Sequence, residues 1–151
     1  MKSILNSELG SVLEVEVGDK KNPELGGGPL RLEGKVEGFF KNDYRSEGPM
    51  YAGLVKSFGQ TAVLHVNGID IIVITHNLQV LDRMQFAAFG IDPELKKVVA
   101  LKSMQHFRAA FEPLAAQVIV CDSGVLARPR RSILPFQNVS RPVYPLDKIQ
   151  R

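Results

Sequence analysis

The chain has one cysteine, no tryptophan, three histidines and no apolar run approaching the roughly 18 residues of a membrane span. A lone Cys121 has no partner within the chain, which excludes a disulfide scaffold and fits a reducing compartment. The opening MKSILNSELGS lacks the continuous apolar stretch of a secretory signal, so a cytoplasmic location is expected. His65, His76 and His106 have none of the short spacings that put two ligands on one face. There is no HExxH motif and no paired CxxC, so a self-contained metal site is not expected. Gly26-Gly27-Gly28-Pro29 lacks the Gly-Lys-Ser/Thr ending of a phosphate loop and reads as a turn, and no nucleophile elbow marks a Ser/His/Asp triad.

What is present is a chain of 151 residues, 44% hydrophobic and 23% charged, enough to bury one sizeable core in one domain. Thirteen glycines and nine prolines without a sustained heptad exclude a rod, and the apolar content excludes a disordered tail. The net charge of +3 is unevenly placed. Residues 128–151 carry Arg128, Arg130, Arg131, Arg141, Lys148 and Arg151 against Asp147 alone, leaving +5 there and −2 elsewhere. Prolines interleave this basic tail and stacking aromatics are few, so nucleic-acid binding is not expected.

Apolar and polar residues alternate over Val12–Val17, which predicts a strand ending at Gly18-Asp19. Arg31–Phe40 predicts a second strand, with a bulge at Gly34. Tyr51–Phe58, Thr61–Val66 and Ile69–Thr75 follow, and Asn67-Gly68 between the last two is a strong hairpin signal. Leu81–Phe89 has helical spacing and stops at Gly90; Asp92-Pro93 then caps about one further turn. Val98–Leu101 and Gln117–Cys121 are apolar without alternation, as in strands covered on both faces. The segment between them repeats apolar residues at Phe107, Ala110, Phe111 and Leu114, a helix that Pro113 should bend or end. The expected fold is therefore mixed α/β (α+β). Residues 1–75 form an antiparallel meander, 76–121 a parallel strand–helix–strand unit, and 122–151 an ordered Pro/Arg-rich wrapping tail.

The stretch Lys102–Arg108 carries the most chemistry, because it lies where a buried strand would end and a helix begin. Free N–H groups there favour an anion, Lys102 adds charge, Ser103 a hydroxyl, and His106 follows on the same side. The alternative reading is structural: Ser103 caps the helix, Lys102 is solvated, and Arg108 pairs with Glu112 at i+4. His65 is expected to face solvent or bond within its sheet, and Cys121 to be a small core residue.

Phe89-Gly90-Ile91-Asp92-Pro93, Val98–Ser103 and His106–Ala115 together resemble the C-terminal domain of the MlrC-like proteins, the microcystinase C family of zinc metallopeptidases (M81). The closing Arg141–Asp147 and the early Val17–Lys20 and Gly27–Pro29 are similar to that family as well, so nearly the whole chain is covered. The resemblance implies a hydrolase of amide bonds whose zinc ligands lie in a larger N-terminal domain, absent from this sequence. This chain would then bring no catalytic group or metal ligand and be inactive alone. Its partners would be the zinc-bearing domain, in cis or in trans, and a peptide-like substrate. Lys102, Ser103 and His106, with Gln79 as a further polar contact and Arg108 nearby, would line the cleft facing that domain. The alternative is a free-standing binding or assembly module, with an exposed apolar patch that favours homo-oligomers.

Overall fold

The computed structural model describes residues 2–18, 20, 27–103, 105–121 and 136–148. A short helix α1 (Lys2–Leu5) precedes strands β1 (Val12–Val17) and β2 (Leu30–Phe40). Short strands β3 (Asp43–Arg45) and β4 (Val55–Ser57) follow, then β5 (Thr61–Val66) and β6 (Ile69–Ile74). Helices α2 (Met84–Ala87) and α3 (Arg108–Phe111) come last, with 3-10 turns at Pro93–Leu95 and Glu112–Leu114.

Four strands make one antiparallel sheet in the order β1-β2-β5-β6, and β3 with β4 forms a separate two-stranded ribbon between β2 and β5. The hairpin expected at Asn67-Gly68 is there. Val66 pairs with Ile69, and both turn residues have positive φ (47° and 85°), the requirement that selects Asn-Gly. The polar stretch after Phe40 contains β3, which the residue pattern did not suggest.

The bulge in β2 lies three residues beyond the expected Gly34. Val36 pairs with Leu64 and Gly38 with Val63, so Glu37 is the extra residue. Gly34 itself sits in regular register opposite Leu13, and a Cβ there would come within 2.9 Å of the Val66 side chain. It is glycine because a neighbouring strand needs the space. The bulge also moves the even-numbered residues of β2 to the other face. Val36 joins a core with Ile4, Val15, Ala62 and Leu64; Phe40 joins one with Tyr44, Phe58, Val63 and Phe89. In that second core Phe89 meets both Phe40 and Phe58 at 5.4 Å between ring centres. β5, buried on both faces, separates the two cores.

The parallel strand–helix–strand unit is not present among the described residues. Val98–Leu101 and Gln117–Cys121 join no ladder, and Val98 and Ile119 are 82% and 72% exposed. A run without alternation needs neighbours on both faces, and these two segments have none among the described residues to make them strands. Cys121 is accordingly exposed rather than in a core. The tail is described only over 136–148, where Asp147 accepts from the amide of Val143 at 2.7 Å and pairs with Arg141. Arg128, Arg130, Arg131 and Arg151 lie outside the described residues. No helix among the described residues is long and apolar enough to cross a membrane.

Candidate functional site

Asp82 and Gln85, separated by two residues at the start of α2, build the local frame. Asp82 Oδ1 accepts from the Met84 amide at 2.9 Å, and Gln85 Oε1 accepts in return from the Asp82 and Leu81 amides at 2.9 and 2.6 Å. This is a reciprocal capping box, and it leaves few orphan donors at the helix start. At the other end Gly90, with φ of 71°, donates to Ala87 O while Ile91 donates to Phe86 O, a Schellman closure.

The second oxygen of Asp82 holds the loop that follows β3. It accepts from the Ser46 hydroxyl and from the amides of Glu47 and Gly48 at 2.8 and 2.7 Å. Asp82 is only 4% exposed. Burial by itself would raise its pKa, but the bonds from Ser46, Gly48, Met84 and Glu47 outweigh it and hold the carboxyl below the usual range. Tyr44, in the adjoining core, is pushed up to about 12 by burial and by the charge of Asp82, a bond with Gln85 opposing them.

Gln85 carries this frame to the predicted site. It is 2% exposed, and its Nε2 donates to the backbone carbonyl of Gln79 at 3.1 Å. Gln79 Nε2 in turn donates to Ser103 Oγ at 3.1 Å, across 24 residues of chain. Two of the predicted contact residues are thus brought together. Lys102 and His106 are exposed nearby in sequence, whereas Arg108 pairs with Glu112 at 2.9 Å, as the structural reading of that residue has it.

The anion-binding rationale for this corner does not carry over. α3 starts at Arg108 after a Phe107 N-cap without a side-chain bond, so Ser103 caps no helix, and four residues make too short a helix for a useful dipole. Beside α2 lies a groove of about 720 Å³, walled by the Glu47–Pro49 loop, Met84, Ile91 and the Ala109–Leu114 stretch, with the Arg83–Glu94 ion pair at its rim. No residue pattern pointed to the groove. The Asp82-x-x-Gln85 spacing is the signal that identifies its frame.

His65 is exposed and bonds Asp70 at 2.7 Å through Nδ1, while Asp70 also pairs with Lys96 at 2.6 Å. Among the described residues no three His, Cys, Asp or Glu side chains come together as metal ligands, so this chain's described residues do not fit a zinc site.

A four-stranded antiparallel sheet with a capped α-helical corner defines a small α+β domain without a metal centre among its described residues. Residues 1–138 match the model of the MlrC C-terminus family, and the chain belongs to that family. It is 29% identical over 141 residues to Microcystinase C of Sphingomonas sp., covering 93% of this chain and 26% of that protein. A crystal structure of a protein assigned as a metallopeptidase, from Mesorhizobium sp. BNC1, superposes on 99% of this chain with a TM-score of 0.77 at 24% identity, over 30% of its own length. The chain thus spans between a quarter and a third of these relatives.

Proposed function

We propose that this domain positions substrate for an MlrC-like zinc metallohydrolase that cuts amide or peptide bonds, with the metal held by the N-terminal part of the enzyme. The observation that carries the reading is the Gln79–Ser103 contact, fixed from behind by the buried Gln85. A glutamine amide and a serine hydroxyl together offer both a donor and an acceptor, the complement of a peptide group. Lys102, next to Ser103 and exposed, supplies a positive charge for a substrate carboxylate, and His106 adds a second polar face. Arg108 is engaged by Glu112 and is the candidate least free to meet substrate.

No reacting group in this chain makes or breaks a bond in this scheme. Its role is to hold a peptide-like substrate against chemistry supplied elsewhere, so it raises the occupancy of a productive pose. The test is Lys102→Ala and Ser103→Ala at the matching positions of a two-domain relative. Loss of Ser103 is expected to raise KM about 3- to 10-fold and loss of Lys102 about 10-fold, the range for a neutral and a charge-assisted hydrogen bond. Unchanged KM and kcat for both variants would overturn the reading.

A further inference from the structure

Among the described residues two apolar segments stand without ladder partners, whereas β1 to β6 are all paired. Val98-Val99-Ala100-Leu101 and Val118-Ile119-Val120 have the composition of strands covered on both faces, the composition that β5 shows in place. Here Val98 is 82%, Ile119 72% and Val120 52% exposed. Among the described residues, no backbone amide of 98–101 or 117–121 donates to a backbone carbonyl. Apolar segments with open backbone groups are hazardous when left free, and natural proteins cover them. The ion pair of Lys96 with Asp70 fixes the approach to the first segment beside the start of β6. The relatives show what is available as a cover. The matched region fills 26% and 30% of their lengths, and the family model is that of a C-terminus, so most of each relative lies before it.

We propose that Val98–Leu101 and Val118–Val120 are strands of a parallel sheet whose remaining strands belong to the N-terminal part of the family's proteins. The interface is thus made by backbone pairing, a β-sheet shared between the two parts, rather than by side-chain contact alone. Completing that sheet places Lys102 and Ser103 just past the carboxyl end of a strand, the position where α/β sheets bind ligands. The inference rests on the reading above for its partner, the N-terminal part, and not for the substrate role of these residues.

Amide hydrogen exchange on this 151-residue chain and on intact Microcystinase C tests it. In this chain at low micromolar concentration, amides 98–101 and 117–121 should exchange nearly as fast as in an unstructured peptide, while β5 is protected. In the intact relative the matching amides should be slowed by at least about 100-fold, comparable to β5. Free exchange at the matching amides of the intact relative overturns the proposal. Protection in this chain that rises with its concentration overturns it too, by naming a second copy as the partner. A KM unmoved by the Ser103 and Lys102 variants, with the exchange pattern as expected, would fault the substrate reading alone.

Discussion

At the residue scale Asp82 carries more of the structure than any candidate contact residue. One carboxylate accepts from a hydroxyl and three amides belonging to two segments 34 residues apart. Asp82→Ala orphans buried donors at about 1–3 kcal/mol each, and a loss of about 3 kcal/mol overall is expected, a fall in Tm of roughly 6–12 °C for a chain of this length. The pH dependence has a definite sign. The native pKa lies below the unfolded value of about 4, so the unfolded state binds more protons as pH falls. The stabilisation is complete above that value and is lost as pH drops through the lowered native pKa. Asp82→Asn should therefore flatten the rise of Tm between pH 3 and pH 5. It should not abolish it, because Asp70 is lowered as well, by its bonds to Lys96 and His65. An unaltered slope in the variant would show that the charge of Asp82 is not what holds the loop. The Asp82-x-x-Gln85 spacing is readable as a capping box, although the helical reading of Leu81–Phe89 made no use of it. That the spare oxygen of Asp82 reaches Ser46–Gly48 was not, since nothing in local spacing links the two segments.

At the element scale the strands of the sheet are readable where a local signal decides them. Alternation marks β1, and Asn67-Gly68 fixes the β5–β6 register, because a type I′ turn needs positive φ at both residues. The β2 bulge was misplaced for a physical reason: a strand glycine signals either an extra residue or a close neighbour, and only the sheet shows which. At Gly34 it is the neighbour, Val66. Gly34→Val is expected to destabilise by about 1–3 kcal/mol through overpacking, as read by urea unfolding. Val66→Ala opens the space, so the double variant should lose less than the sum of the two single changes, a coupling of about 1 kcal/mol. Strict additivity would mean that the contact is relieved elsewhere. The Gln79–Ser103 contact was anticipated only as membership of one cleft, because the hydrogen bond joins segments whose separation no periodicity encodes.

At the scale of the whole molecule the two halves obey different rules. Strands β1 to β6 pair with one another around two cores, whereas the apolar runs at 98–101 and 117–121 have the sequence of interior strands and the exposure of a surface. Composition tells what a segment needs around it, and it does not say which chain provides it. The second half is nonetheless tethered: Phe111 is buried and packs edge-on against Phe86 at 5.7 Å. Local opening should then be easiest between the sheet and that anchor, where few hydrogen bonds must break. Trypsin cuts after lysine and arginine, and it should cleave at the exposed Lys97 and Lys102 well before Lys35 in β2. The difference in rate should exceed about 10-fold in native buffer and vanish in denaturant, where both sites are equally open. Cleavage at Lys35 first would place the weakest part of the molecule in the sheet instead. If the proposed shared sheet forms, a lysine or arginine matching Lys97 or Lys102 in an intact relative should resist cleavage, since a strand in a closed ladder presents no open segment to the protease.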